Sequence, residues 1–151
     1  MPSFRNERRV RHRSEQMFDL VADIERYPEF VPLCTATRVR GRCPDGHGRE
    51  TLMAEMSVGY KMIREKFTTR VLLDKPRMRV LVEYMDGPFS HLENIWTFRD
   101  EPEPGRSLVT FFIDYEFKSR TLGALMGSMF DAAFRKFSEA FEQRADDLYR
   151  P

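Results

Sequence analysis

The chain is poor in the residues that usually carry chemistry: 2 cysteines, 3 histidines and 1 tryptophan in 151 residues. Cys34 and Cys43 are nine positions apart. On a continuous strand at ~3.3 Å per residue they would stand about 30 Å apart, whereas a disulfide needs Cα atoms within roughly 7 Å. They are expected to be reduced thiols. His12, His47 and His91 are scattered without metal-ligand spacing, so no metal site is expected. There is no glycine-rich phosphate loop and no nucleophile elbow. Neither sign of charge prevails, with 25 Lys+Arg against 24 Asp+Glu and a net charge of +1. Nothing therefore pulls the chain as a whole towards nucleic acid, and no DNA partner is expected. Long hydrophobic runs are missing too. The longest uncharged run is Thr121 to Phe130, far below the ~20 apolar residues that span a bilayer, and "MPSFRNERRV" has no apolar signal region. The expected location is cytoplasmic, with peripheral contact to the inner membrane as a variant.

What is abundant is apolar bulk: 41% hydrophobic residues, 13 Phe and 9 Met. The length suits a single domain, residues 1–151, with one core. Methionine adapts its shape, so the Phe and Met content suits either an irregular core or the lining of a pocket for varied guests.

Phe4 to Arg11 reads as a charged first strand. Ser14 is placed as the N-cap of a short helix whose Met17, Leu20, Val21 and Ile24 share one face. The segment "RYPEFVPLC" (Arg26 to Cys34) then allows one short helical turn, because each proline pushes the residue before it out of helical geometry. It is stiff and apolar, which fits a core plug or the lip of a pocket. Six alternating stretches follow, over Ala36 to Gly41, Glu50 to Val58, Tyr60 to Asp74, Met78 to Tyr84, Leu92 to Phe98 and Val109 to Phe117. Gly59 reads as a break and a place for the sheet to bend. Short turns such as "CPDGHGR", "DGPF" and "EPEPG" separate the stretches, so an antiparallel meander is expected, with the first strand at an edge. From Thr121 to Tyr149 apolar residues recur every three or four positions, the mark of a long amphipathic helix. At 1.5 Å per residue it would measure roughly 43 Å and lie across the whole sheet. Gly123 and Gly127 weaken it; they leave room for a guest or allow close backbone packing.

Four stretches together resemble the coenzyme Q-binding family, a branch of the START-like, polyketide cyclase-like superfamily that is homologous to the bacterial ribosome-association toxin. They are "YPEFVPLC" (Tyr27 to Cys34), "REKFTTRV" (Arg64 to Val71), "DGPFSHLENIWTF" (Asp86 to Phe98) and "FFIDYEFKSRTLGALM" (Phe111 to Met126). The resemblance implies an α+β helix-grip fold, with a curved antiparallel sheet of about seven strands around the C-terminal helix and two short helices after the first strand. It implies a cavity for ubiquinone or a related polyprenyl lipid, held as a non-covalent ligand in support of respiratory electron transfer, and no known turnover. Residues expected to contact the ligand are Tyr27, Phe30, Val31 and Leu33 from the proline segment, Met56, Phe67, Tyr84, Phe89, Leu92 and Trp96 from the sheet, and Met126, Phe130 and Phe134 from the helix. Tyr27, Tyr60 and Tyr84 are candidate donors to a quinone carbonyl.

Two alternatives stand beside this reading. The basic run "RNERRVRHR" (Arg5 to Arg13) suits the large ribosomal subunit or an anionic lipid surface, or is simply a solvated edge strand. The carboxylates of Glu65, Asp114 and Glu116, with the tyrosines, would serve a cyclase or aromatase, although alternating charges usually mark the outer face of a sheet.

Overall fold

In the computed structural model, which describes residues 3–60 and 62–149, the alternating stretches form seven strands. They are β1 (Ser3–Val10), β2 (Cys34–Pro44), β3 (Arg49–Tyr60), β4 (Ile63–Asp74), β5 (Arg79–Asp86), β6 (Phe89–Asp100) and β7 (Ser107–Phe117). Helix α1 (Ser14–Ala22) and a 3-10 helix (Ile24–Glu29) lie between β1 and β2, and α2 (Arg120–Leu148) follows β7. The strands pair antiparallel in the order β1-β7-β6-β5-β4-β3-β2, a meander closed at one edge by β1. This is the helix-grip α+β fold.

Period-two alternation fixes which side chains enter the core. Leu52, Ala54 and Val58 of β3, Val71 and Leu73 of β4, Leu92, Trp96 and Phe98 of β6, and Val109, Phe111, Ile113 and Tyr115 of β7 are all buried on one face. Helix α2 lies over that face with Met126, Phe130, Ala133, Phe134, Phe141 and Ala145 buried. Helix α1 closes one end of the sandwich through Met17, Phe18, Leu20 and Val21, with Phe18 edge-on to Phe98 at 5.8 Å.

Three local expectations are corrected. Ser14 is the first helical residue rather than the cap: Arg13 holds the cap position, and the Ser14 N–H donates to Asp100 Oδ1 at 2.8 Å. A carboxylate from the end of β6 thus satisfies an amide left free at the helix start, a partner that local sequence could not reveal. Gly59 does not break β3. It stays paired with Arg64, donates its N–H to Leu33 O at 3.0 Å, and leaves room for Arg64, whose Nη1 would lie 3.0 Å from a Cβ there. The run read as Tyr60 to Asp74 is instead split by a hairpin, with Tyr60 opposite Ile63. The ladder is irregular at other places: between Cys34 and Ala36 and between Arg40 and Cys43 in β2, at Thr68/Thr69 in β4 and at Phe89/His91 in β6. Such bulges bend and twist a sheet.

The helix glycines fit neither expected use. A Cβ on Gly127 would meet nothing within 4 Å, and one on Gly123 would make ordinary contact with Phe117 at 3.8 Å. Both line an outer hollow beside β7 rather than the core. Filling Gly127 would leave the interior unchanged. Because Gly costs about 1 kcal/mol relative to Ala in a helix, Gly127→Ala is expected to stabilise the protein by up to that amount, read as a higher urea midpoint at unchanged slope.

Candidate functional site

Between sheet and α2 the packing leaves an apolar cavity of about 80 Å³. Eight of the nominated side chains line it: Tyr27, Leu33, Met56, Phe67, Leu92, Trp96, Phe130 and Phe134. Phe30, Val31, Tyr84, Phe89 and Met126 do not. Phe89 is fully buried in an aromatic cluster with Phe67, Tyr84, Tyr115, Phe117 and Phe130. Val31 and Met126 belong to the core. Phe30 packs edge-on against Phe141 at 4.9 Å under the Arg144 guanidinium, and Arg144 also pairs with Glu29 at 2.5 Å.

The proline segment therefore does two jobs. Its first half is a plug: Tyr27 and Phe30 clamp Phe141 of α2, and the Tyr27 hydroxyl donates to Val21 O. Its second half is a lip: Pro32 and Leu33 line both the cavity and an outer groove of about 610 Å³. Ala133 of α2 is the third residue common to both, so these three side chains stand between interior and surface. Leu33 is held at φ +67°, left-handed geometry that costs a residue with a Cβ about 1–2 kcal/mol. Strained backbone of this kind persists where surrounding structure enforces it and is concentrated at ligand clamps and switches.

The groove lies at the end of the sheet opposite α1, where β3 turns into β4. Tyr60, Ile63, Leu125, Met129 and Ala132 line it, with Ser128 and Lys136. Exposed apolar residues gather at this end: Tyr60, Met62 at the hairpin tip (95% exposed), Met85 at the end of β5, and Leu125. Of these, Tyr60 and Leu125 line the groove itself.

Four lining side chains of the cavity carry hydrogen-bonding groups: Tyr27, Thr69, Asn94 and Trp96. All are engaged. Thr69 Oγ1 donates to Ala54 O at 3.4 Å, Asn94 Nδ2 to Phe112 O at 2.8 Å, and Trp96 Nε1 to Asn94 Oδ1 at 3.1 Å. One amide hydrogen of Asn94 is left over. Burial pushes the Tyr27 hydroxyl well above the ordinary phenol range, with smaller contributions from Cys34 and Asp23. Burial likewise pushes the Cys34 thiol up to about 11, so it is an inert thiol rather than a nucleophile. Both cysteines are free. Of the other tyrosines, Tyr84 accepts from Phe89 N and Tyr60 stands in the groove, outside the cavity.

Asn94 was legible, since it is the polar exception on a face otherwise made of Leu92, Trp96 and Phe98. Ala133, Phe137 and Phe141 lay within the helical pattern, but nothing in that pattern says which turn of α2 meets a gap. Asp114 and Glu116 alternate with the buried Ile113 and Tyr115, and Asp114 Oδ2 lies 3.1 Å from His91 Nε2. Neither they nor Glu65 line the cavity. Among the described residues, no group of three His, Cys, Asp or Glu side chains is placed to hold a metal ion, and no helix is long and apolar enough to cross a membrane.

A bent antiparallel sheet gripping a terminal helix over an apolar hollow is the START-like fold. Residues 10–142 match the family described as polyketide cyclase / dehydrase and lipid transport, and the chain belongs to that family. Within it the chain is 34% identical over 134 residues to the ribosome association toxin RatA of Pseudomonas aeruginosa, covering 88% of each. It is 33% identical over 138 residues to the mitochondrial coenzyme Q-binding protein COQ10 homolog B of Xenopus laevis, covering 89% of this chain and 54% of that one. The solution structure of an 18 kDa protein from Caulobacter crescentus is 36% identical with a TM-score of 0.79 and complete coverage of both chains. A START superfamily protein from Mycobacterium smegmatis shares the fold at 20% identity and a TM-score of 0.78, over 97% of this chain and 98% of that one.

Proposed function

We propose that this protein takes up an isoprenoid-bearing lipid, ubiquinone or a close relative, between its sheet and α2, and serves respiratory electron transfer as a carrier or chaperone. The observation that carries this reading is an apolar cavity joined to a surface groove through three residues, one of them strained. The exposed apolar side chains Tyr60, Met62 and Leu125 support contact with a lipid surface while the guest passes, and the coenzyme Q-binding relative supports the choice of guest. The driving force is transfer of tail surface out of water, about 25 cal/mol per Å². An engineered apolar cavity of about 150 Å³ accommodates benzene, so a cavity of about 80 Å³ must widen for a tail; Met56 is the adaptable part of its wall. Protein incubated with ubiquinone-loaded phospholipid vesicles and re-isolated is expected to carry extractable ubiquinone near one per chain. Re-isolated protein free of isoprenoid lipid would count against the proposal.

A second reading, association with the large ribosomal subunit, is favoured by the near full-length likeness to the ribosome association toxins. Arg8 is paired with Glu142 and half-buried, whereas Arg5 over the Phe112 ring, Arg9 beside Glu101, Arg11 and Arg13 are exposed cations of the basic run. Co-sedimentation with large subunits at moderate salt, lost on changing Arg11 and Arg13 to Glu, is the expected result of that reading. Failure of the unaltered protein to sediment with them would remove it.

A further inference from the structure

The guest proposed above has two unlike ends. Resting on that reading, we infer that the isoprenoid tail enters the cavity while the oxygen-bearing head stays in the outer groove, held by Ser128 and Lys136.

Three observations carry this polarity. The hydrogen-bonding groups of the cavity wall are already spent on the protein itself, through Tyr27 to Val21, Thr69 to Ala54, Trp96 to Asn94 and Asn94 to Phe112. A head with two carbonyls would find one spare amide hydrogen there. An oxygen buried without a partner forfeits its hydration, whereas a hydrocarbon tail asks for no partner. The second observation is width: the cavity is a narrow space of about 80 Å³ whereas the groove opens to the surface over about 610 Å³, so the wide substituted ring is received outside with less repacking than a slender chain requires within. The third is the distribution of uncommitted donors. Ser128 and Lys136 line the groove, and neither has a side-chain hydrogen bond or ion pair among the described residues. Leu125, Ser128, Met129, Ala132 and Lys136 stand at i, i+3, i+4, i+7 and i+11, so they form one stripe along α2. That stripe runs beside Ala133, is mostly apolar, and ends in an ammonium group that can bond to a carbonyl oxygen while its stem covers apolar surface.

The protein carries its own reporter, since its single tryptophan, Trp96, lines the cavity. Short-chain ubiquinol analogues carrying bromine on the terminal isoprene unit or on the ring would be loaded separately, with bound amounts measured by extraction. At equal loading, the tail-brominated analogue is expected to quench Trp96 several-fold more than the ring-brominated one. Equal or stronger quenching by the ring-brominated analogue would overturn the polarity while leaving the binding reading intact. Absence of both analogues from the extract would overturn both. In the second arm, Ser128→Ala combined with Lys136→Met changes two exposed side chains. It is expected to weaken ubiquinol retention about tenfold and to leave uptake of squalene, a tail without a head, unchanged. Unaltered ubiquinol retention, or an equal loss for squalene, would overturn the role given to these residues.

Discussion

Ala133→Phe is expected to reduce ubiquinone loading at least tenfold in a protein that still folds. Ala133 is 5% exposed and belongs to both the cavity wall and the groove, opposite Pro32 and Leu33. A phenyl ring there occupies the gap between them. Overpacking costs typically 1–3 kcal/mol, which a domain of ordinary stability, about 5–15 kcal/mol, tolerates. The complementary variant is Leu33→Gly. Glycine adopts positive φ freely, so this change removes the strain and the side chain together and should speed uptake from vesicles. Loading is read by lipid extraction and folding by far-UV circular dichroism. Full loading of a folded Ala133→Phe protein would show that guests enter by another route.

The largest stability effect is expected at Phe89. Its side chain is 0% exposed and meets five aromatic rings at centroid distances from 4.8 to 6.2 Å. Truncating a buried phenylalanine to alanine costs about 3–5 kcal/mol. Phe89→Ala should therefore lower the melting temperature by on the order of 10 °C in a chain of this size. The turn before it is equally constrained. Gly87 sits at φ +142°, and a Cβ there would come within 2.5 Å of Phe67 Cβ, so only glycine lets β5 turn into β6 with Phe89 seated inward. Phe89 lies outside the cavity wall, so the effect should appear in stability before it appears in ligand affinity. A shift of only one or two degrees would mean that the cluster is not closely packed.

The residues of "DGPF" show how far local pattern reaches. A turn there was legible from Asp86 to Phe89, and so was the inward alternation of Leu92, Trp96 and Phe98. Phe89 was nonetheless placed at the ligand, because a large aromatic on an inward face looks the same whether it meets a gap or five other rings. The same ambiguity covered Val31 and Met126, both inward and both packed solid. Tyr84, expected as a donor to a guest, lies outside the cavity wall, where its hydroxyl oxygen accepts the Phe89 amide, a contact that forms only when the turn closes. Asn94 shows the reverse case, a wall residue visible as a polar break in an apolar face. The proline segment left plug and lip open as alternatives, and the structure divides it between them at Val31.

Alternation at period two, recurrence at three to four and the turn residues between them were enough to settle the meander, the long terminal helix and the side each strand turns inward. Each of these depends on neighbours a few positions away in the chain. Where the hollow lies, which residues line both it and the outer groove, and which donors remain uncommitted were decided only in three dimensions. They depend on how Pro32, Leu33 and Ala133, about a hundred positions apart, come together. A gap in packing is a difference between volumes brought together from distant segments, and no stretch of sequence contains both sides of it.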